Sequence, residues 1–152
     1  MSKYPFLRAF LIPRIAFLLG GQLEERKYDV LMGEVRLDVK EGEHLIGDIF
    51  IFKSKDLVID TKCANIPPYI AIEVDVKIDL EKDSDKEYVF TKIKKYLDFG
   101  VSKVIWIFTN TQHIITATPN SDWSISNFDK EIEITKDYKL NITDILKARG
   151  LL

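Results

Sequence analysis

The chain reads as an α/β protein with a mixed central β-sheet flanked by helices. Three stretches support this. From Tyr69 to Val76, six of eight residues are apolar and the run is entered through Pro67-Pro68, the pattern of a short buried strand. Residues 85–99 carry Val89, Ile93, Tyr96 and Leu97 at spacings of three and four and stop at Gly100, an amphipathic helix with a glycine terminus. A second apolar run, Val101 to Phe108, follows at once and reads as another buried strand.

The remaining elements follow in order. Phe10 to Gly21 is apolar apart from Arg14. It predicts a packing helix that starts near Pro13, a residue suited to the first helical turn, and ends at Gly20-Gly21. The run is too short and too charged to cross a bilayer, and no clear small-x-small cleavage site follows it. Tyr28 to Val39 alternates loosely and predicts one strand or a broken pair. Lys40-Glu41-Gly42-Glu43 is a turn, and His44 to Phe52 is the returning strand. Lys53 to Asp56 breaks that strand, and a short apolar run, Leu57 to Ile59, precedes the loop 60–68. The central strand runs from Tyr69 to Ile78. Asp79 to Glu87 is a solvated charge run that leads into the helix, where acids favour the helix dipole. After Asn110-Thr111-Gln112, His113 to Thr118 returns as a hairpin partner. Trp123 to Phe128 and Glu131 to Ile134 read as short peripheral strands. Asn141 to Leu146 reads as a capped terminal helix.

At 152 residues with 46% hydrophobic content, one domain over 1–152 is expected, with a core that needs no disulfide. The single cysteine, Cys63, cannot pair within the chain, which points to a reducing cytoplasm and to a bystander thiol. The net charge is −2. That is not a broad nucleic-acid footprint, although Lys92, Lys94, Lys95 and Lys103 give local positive charge and a bound metal would itself neutralise phosphate. No GxGxxG, P-loop or GxSxG pattern occurs, and His44 and His113 form no metal or base motif.

The chemistry-bearing residues sit on the two central strands. Alternation projects Glu73, Asp75 and Lys77 from one face of the strand. Charges on a buried strand are costly unless they pair or hold a metal. A Glu73–Lys92 or Asp75–Lys77 ion pair would satisfy them, and so would a cation. Upstream, Gly47-Asp48-Ile49-Phe50-Ile51-Phe52 places one more carboxylate at the start of an apolar strand.

This order of Asp, then Glu on the next strand, then lysine resembles the PD-(D/E)XK nuclease superfamily, which has the restriction-endonuclease-like fold. Within it the chain is most similar to the Uma-two branch. The matching pieces are Pro68, Ile70-Ala71-Ile72-Glu73-Val74, Lys92-Ile93-Lys94-Lys95-Tyr96, Gly100-Val101 and Val104-Ile105-Trp106-Ile107, and the likeness spans residues 28–146. Two departures stand out. Gly47 replaces the proline that usually precedes the first acid, and Asp75 stands where the branch often has an apolar residue.

The resemblance implies a metal-dependent endonuclease that hydrolyses DNA phosphodiester bonds. Asp48, Glu73 and the backbone carbonyl of Val74 would hold Mg²⁺ or Mn²⁺, since hard divalent cations take oxygen ligands. A lysine would orient water and phosphate. A literal reading of the motif selects Asp75-Val76-Lys77; the branch resemblance selects Glu73 with Lys92. The competing expectation is a non-catalytic DNA- or partner-binding module on the same scaffold. A two-fold homodimer is also expected from the apolar surface of the first helix and the peripheral strands. A monomer mass by light scattering would exclude it.

Overall fold

The computed structural model describes residues 4–60, 64–76 and 78–152. Its elements are α1 (Tyr4–Gln22), β1 (Tyr28–Lys40), β2 (Glu43–Lys53), β3 (Ile70–Asp75), α2 (Asp83–Phe99), β4 (Lys103–Phe108), β5 (His113–Ala117), β6 (Ser124–Asn127), β7 (Ile132–Thr135), β8 (Tyr138–Leu140) and α3 (Ile142–Ala148). Strands β1 to β6 form one sheet in sequence order, and β7 pairs with β8 in a separate two-stranded sheet. Only β3 and β4 run parallel, joined by α2; the other pairs in the large sheet are antiparallel. This is the mixed sheet flanked by helices that the sequence predicts.

The alternation of side chains splits the interior into two cores. Ile49 and Ile51 of β2, with Ile70, Ile72 and Val74 of β3, pack toward α1, α3 and the small sheet. Phe50, Phe52, Ala71 and Trp106 pack toward Val89, Ile93 and Tyr96 of α2. With both faces covered, β3 reads as a nearly continuous apolar run, and a carboxylate within it is conspicuous.

Helix α1 starts well before Pro13, which corrects the expected start. Leu11, Ile15 and Leu19 are fully buried, and Leu7 extends their four-residue stripe toward the N-terminus. That stripe outweighs the proline signal. Pro13 lies inside the helix on its exposed side, where water can take up the carbonyl left without an intrahelical partner. Tyr28–Lys40 is one strand, and its irregular alternation has a local cause. Between Met32 and Val35 the register slips against β2, with Gly33 and Glu34 at positive φ, the signature of a β-bulge.

Several boundaries follow local chemistry. The β1–β2 turn closes on Glu41-Gly42, with Gly42 at φ 76°. Helix α2 ends at Gly100 in the left-handed conformation, and the N–H groups of Gly100 and Val101 return to the carbonyls of Leu97 and Tyr96. The Asn141 side chain accepts the Asp144 N–H and caps α3. Strand β8 has no counterpart among the expected elements; its three residues, Tyr138 to Leu140, are too few to set a period. Val58 and Ile59, expected in a short apolar run, are exposed and outside any strand.

Candidate active site

The site forms where β2 and β3 separate. Their ladder pairs Ile51 with Ile70, Phe50 with Ala71 and Ile49 with Ile72, and ends there. Continued by one step, the same register would set Asp48 opposite Glu73. Alternation aligns Asp48 with Phe50 and Phe52, and Glu73 with Ala71, all of the α2-side core; Glu73 meets Lys92 and Tyr96 of α2, whereas Asp48 meets the Val74 N–H and Arg8 of α1. Past the ladder the Asp48 side chain replaces backbone pairing: its Oδ2 accepts the Val74 N–H at 2.9 Å.

Asp48 and Glu73 are the buried carboxylates among the described residues. Glu73 Oε1 accepts the Tyr96 hydroxyl at 2.5 Å and lies 2.9 Å from Lys92 Nζ. Both partners come from α2, one turn apart, so a single helix face delivers them together. Lys92 Nζ also donates to the Ile46 carbonyl at 2.8 Å and lies 5.6 Å from the centre of the Trp106 ring. Its stem is packed and its ammonium is fixed from three sides. An open cleft of about 580 Å³, lined by His44, Ile46, Tyr88 and Lys95 among others, reaches Lys92 from outside.

Burial pushes the Glu73 carboxyl up to about 7. Lys92 and the Tyr96 hydroxyl pull it down, and the charge of Asp48 adds to the rise. Burial and the adjacent Glu73 carboxylate push the Tyr96 phenol well above its ordinary range, so it serves as a fixed hydrogen-bond donor. The raised Glu73 pKa has a measurable consequence. In EDTA, folded Glu73 keeps its proton to about pH 7, whereas the unfolded chain releases it near 4.5. Between these values the folded state binds more protons, so this contribution is complete below pH 4.5 and is lost as pH rises through 7. Urea titrations from pH 5 to pH 8 are expected to show a loss on the order of 3 kcal/mol from this group, and Glu73→Gln should flatten that part of the curve. An equal slope in the variant would contradict the assignment.

Gly47 explains one departure from the branch pattern. A Cβ at this position would lie 2.7 Å from the Tyr96 hydroxyl and closer still to the Phe50 ring. The space a proline ring would need is filled by the aromatic pair that positions the Glu73 donor. Gly47→Ala is expected to cost about 1–3 kcal/mol in denaturant unfolding through overpacking. A stability within a few tenths of wild type would mean that the aromatic pair yields freely.

The structure thus brings Asp48, Glu73, the Val74 backbone and Lys92 together. Asp75 is half-buried at the end of β3, where its carbonyl accepts the Thr109 N–H at 2.9 Å. Lys77 and Cys63 lie outside the described residues. The residue that sequence reasoning missed is Arg8. From α1, its guanidinium donates to the Val74 carbonyl at 2.9 Å and to Asp48 Oδ1. Its one available signal was position: Arg8 is a cation beside the Leu7–Leu11 stripe of a helix that packs on the sheet.

Two carboxylates and a carbonyl make a hard oxygen donor set, and a positive group already sits on two of the three. These residues fit Mg²⁺ or Mn²⁺, which keep waters and phosphate oxygens as further ligands. Among the described residues no group of three or more His, Cys, Asp or Glu side chains gathers to enclose a metal ion.

The architecture is a mixed α/β fold with a largely antiparallel sheet flanked by helices. It is similar to the crystal structure from Anabaena variabilis ATCC 29413 described as "a putative nuclease belonging to DUF820", with a TM-score of 0.67, 18% identity, and coverage of 97% of this chain and 82% of that chain. At that identity the likeness establishes the fold alone. No family model matches the chain, and no curated protein matches it in sequence. No helix among the described residues is long and apolar enough to cross a membrane.

Proposed function

We propose that this protein is a metal-dependent endodeoxyribonuclease of the PD-(D/E)XK type. The observation that carries the reading is a buried carboxylate, Glu73, held by an ammonium and a phenol from one helix and set beside Asp48 and the Val74 carbonyl. Each acid already faces a cation of the chain, Arg8 on Asp48 and Lys92 on Glu73, so the reading rests on the gathering of carboxylate and carbonyl oxygens, the donor type that a hard divalent ion prefers.

Asp48, Glu73 and the Val74 carbonyl would hold Mg²⁺ or Mn²⁺. The ion, when bound, supplies positive charge against the phosphate and makes a neighbouring water easier to deprotonate. The remaining work belongs to the chain. Lys92, anchored by Ile46 and Glu73, presents its remaining N–H donor toward the water and the scissile phosphate. Tyr96 fixes the Glu73 rotamer, and the Val74 N–H fixes the Asp48 carboxylate. DNA enters along the cleft beside Lys92 and Lys95. A cytoplasmic setting and a two-fold homodimer belong to the same proposal.

Nicking of supercoiled plasmid in Mg²⁺ or Mn²⁺, abolished by EDTA, is the expected result. The Arg8 contact favours one competing reading: a scaffold whose acids are neutralised internally and which binds DNA or a partner without cutting. A protein that retards DNA in a gel but leaves it intact in either metal would support that reading.

A further inference from the structure

We infer that Arg8 is a tethered cation that competes with the divalent ion for this site and yields it to nucleic-acid phosphate. The inference rests on the metal-site reading and deepens it. Arg8 contacts two of the three proposed ligands, Asp48 and the Val74 carbonyl. A guanidinium and a divalent ion gathered on the same Asp48 oxygen and the same carbonyl repel each other, so loading the metal favours the withdrawal of Arg8.

The site is built so that Arg8 can withdraw. The Arg8 side chain is 41% exposed, whereas the Asp48 side chain is 11% exposed. The acid is fixed in place by the Val74 N–H, and the arginine approaches from solvent on a separate helix. Lys92 differs: its side chain is 14% exposed and is held by Glu73, Ile46 and the Trp106 ring. One cation of the site is packed among three partners, and the other is half-exposed with two.

The displaced guanidinium remains tethered beside the acids. Its planar fork matches two phosphate oxygens better than an ammonium does. A phosphate arriving with the metal gives Arg8 a new partner as it loses Asp48. Metal and nucleic acid then favour each other's binding, and by linkage the coupling is reciprocal. Arg8 is on this account a positioning residue for metal and phosphate, and it neutralises Asp48 until substrate arrives.

Titration of the full chain with Mn²⁺, followed by calorimetry and by the electron paramagnetic resonance of free Mn²⁺, tests this directly. Arg8→Ala should tighten Mn²⁺ binding about tenfold, the scale of one half-exposed charge-assisted bond removed. Arg8→Lys, which keeps the charge without the fork, should fall between the two. A merely structural arginine would leave metal affinity unchanged or weaken it. In a second arm, a short DNA duplex should tighten Ca²⁺ binding to wild type and do so much less in Arg8→Ala, with the DNA checked as intact on a gel. Mn²⁺ binding that depends on Glu73 but is unchanged or weakened by Arg8→Ala overturns the competition and leaves the metal site standing. Absence of Mn²⁺ binding in both proteins overturns both.

Discussion

Glu73→Ala is expected to lower metal-dependent DNA cleavage by more than about a hundredfold, the scale on which removal of a central electrostatic group acts in other sites. Far-ultraviolet circular dichroism should stay that of the wild type. Glu73 serves two functions in the proposed chemistry: it is a ligand to the cation, and it is the anchor of Lys92 and Tyr96. Glu73→Gln separates them, because the amide oxygen still accepts from the tyrosine while the negative charge is gone. If charge is what the site needs, Gln and Ala are equally inactive. If position alone matters, Gln keeps much of the rate. An unchanged rate in Glu73→Ala would assign the cleavage to a contaminant and favour the binding module.

The second large effect concerns the lysine. Lys92→Ala is expected to reduce cleavage by about a hundredfold or more, whereas Lys77→Ala leaves it near wild type. Lys92 is fixed on Glu73 and on the Ile46 carbonyl at the floor of the cleft. Lys92 is also the strongest influence holding the Glu73 pKa down. Its loss should therefore move the acid limb of the pH–rate profile upward as well as lower the maximum. A structural lysine would affect stability without moving that limb. Loss of cleavage in Lys77→Ala with activity retained in Lys92→Ala would contradict the assignment and place the active acids two residues further along β3.

Much of this fold was legible in the chain because its central elements carry strong periods. The apolar run around Glu73 and the stripe on α2 each favour one structure, and both elements are found within their predicted runs, although β3 ends at Asp75 rather than at the expected Ile78. Pairing Glu73 with Lys92 was also within reach, since a buried acid on a doubly covered strand needs a partner and one helix face offers one. What was not legible depends on contacts between distant segments. Helix α1 begins nine residues before Pro13 because the Leu7–Leu19 stripe has a sheet to cover, and the proline lies on the outer face. Arg8 touches the site across 40 residues of sequence from Asp48 and 66 from Val74, and no local pattern encodes that reach. The reason Gly47 replaces proline lies in the rings of Phe50 and Tyr96, which meet only in the folded chain.

The central claim is that Asp48 and Glu73 share a divalent cation. The most direct measurement is anomalous scattering from a crystal soaked in Mn²⁺. The account predicts one peak between the two carboxylates, at about 2.0–2.2 Å from Asp48, Glu73 and the Val74 carbonyl, with the Arg8 guanidinium moved off Asp48. Well-ordered carboxylates with no peak between them, and Arg8 still on Asp48 and Val74 at saturating Mn²⁺, would contradict it.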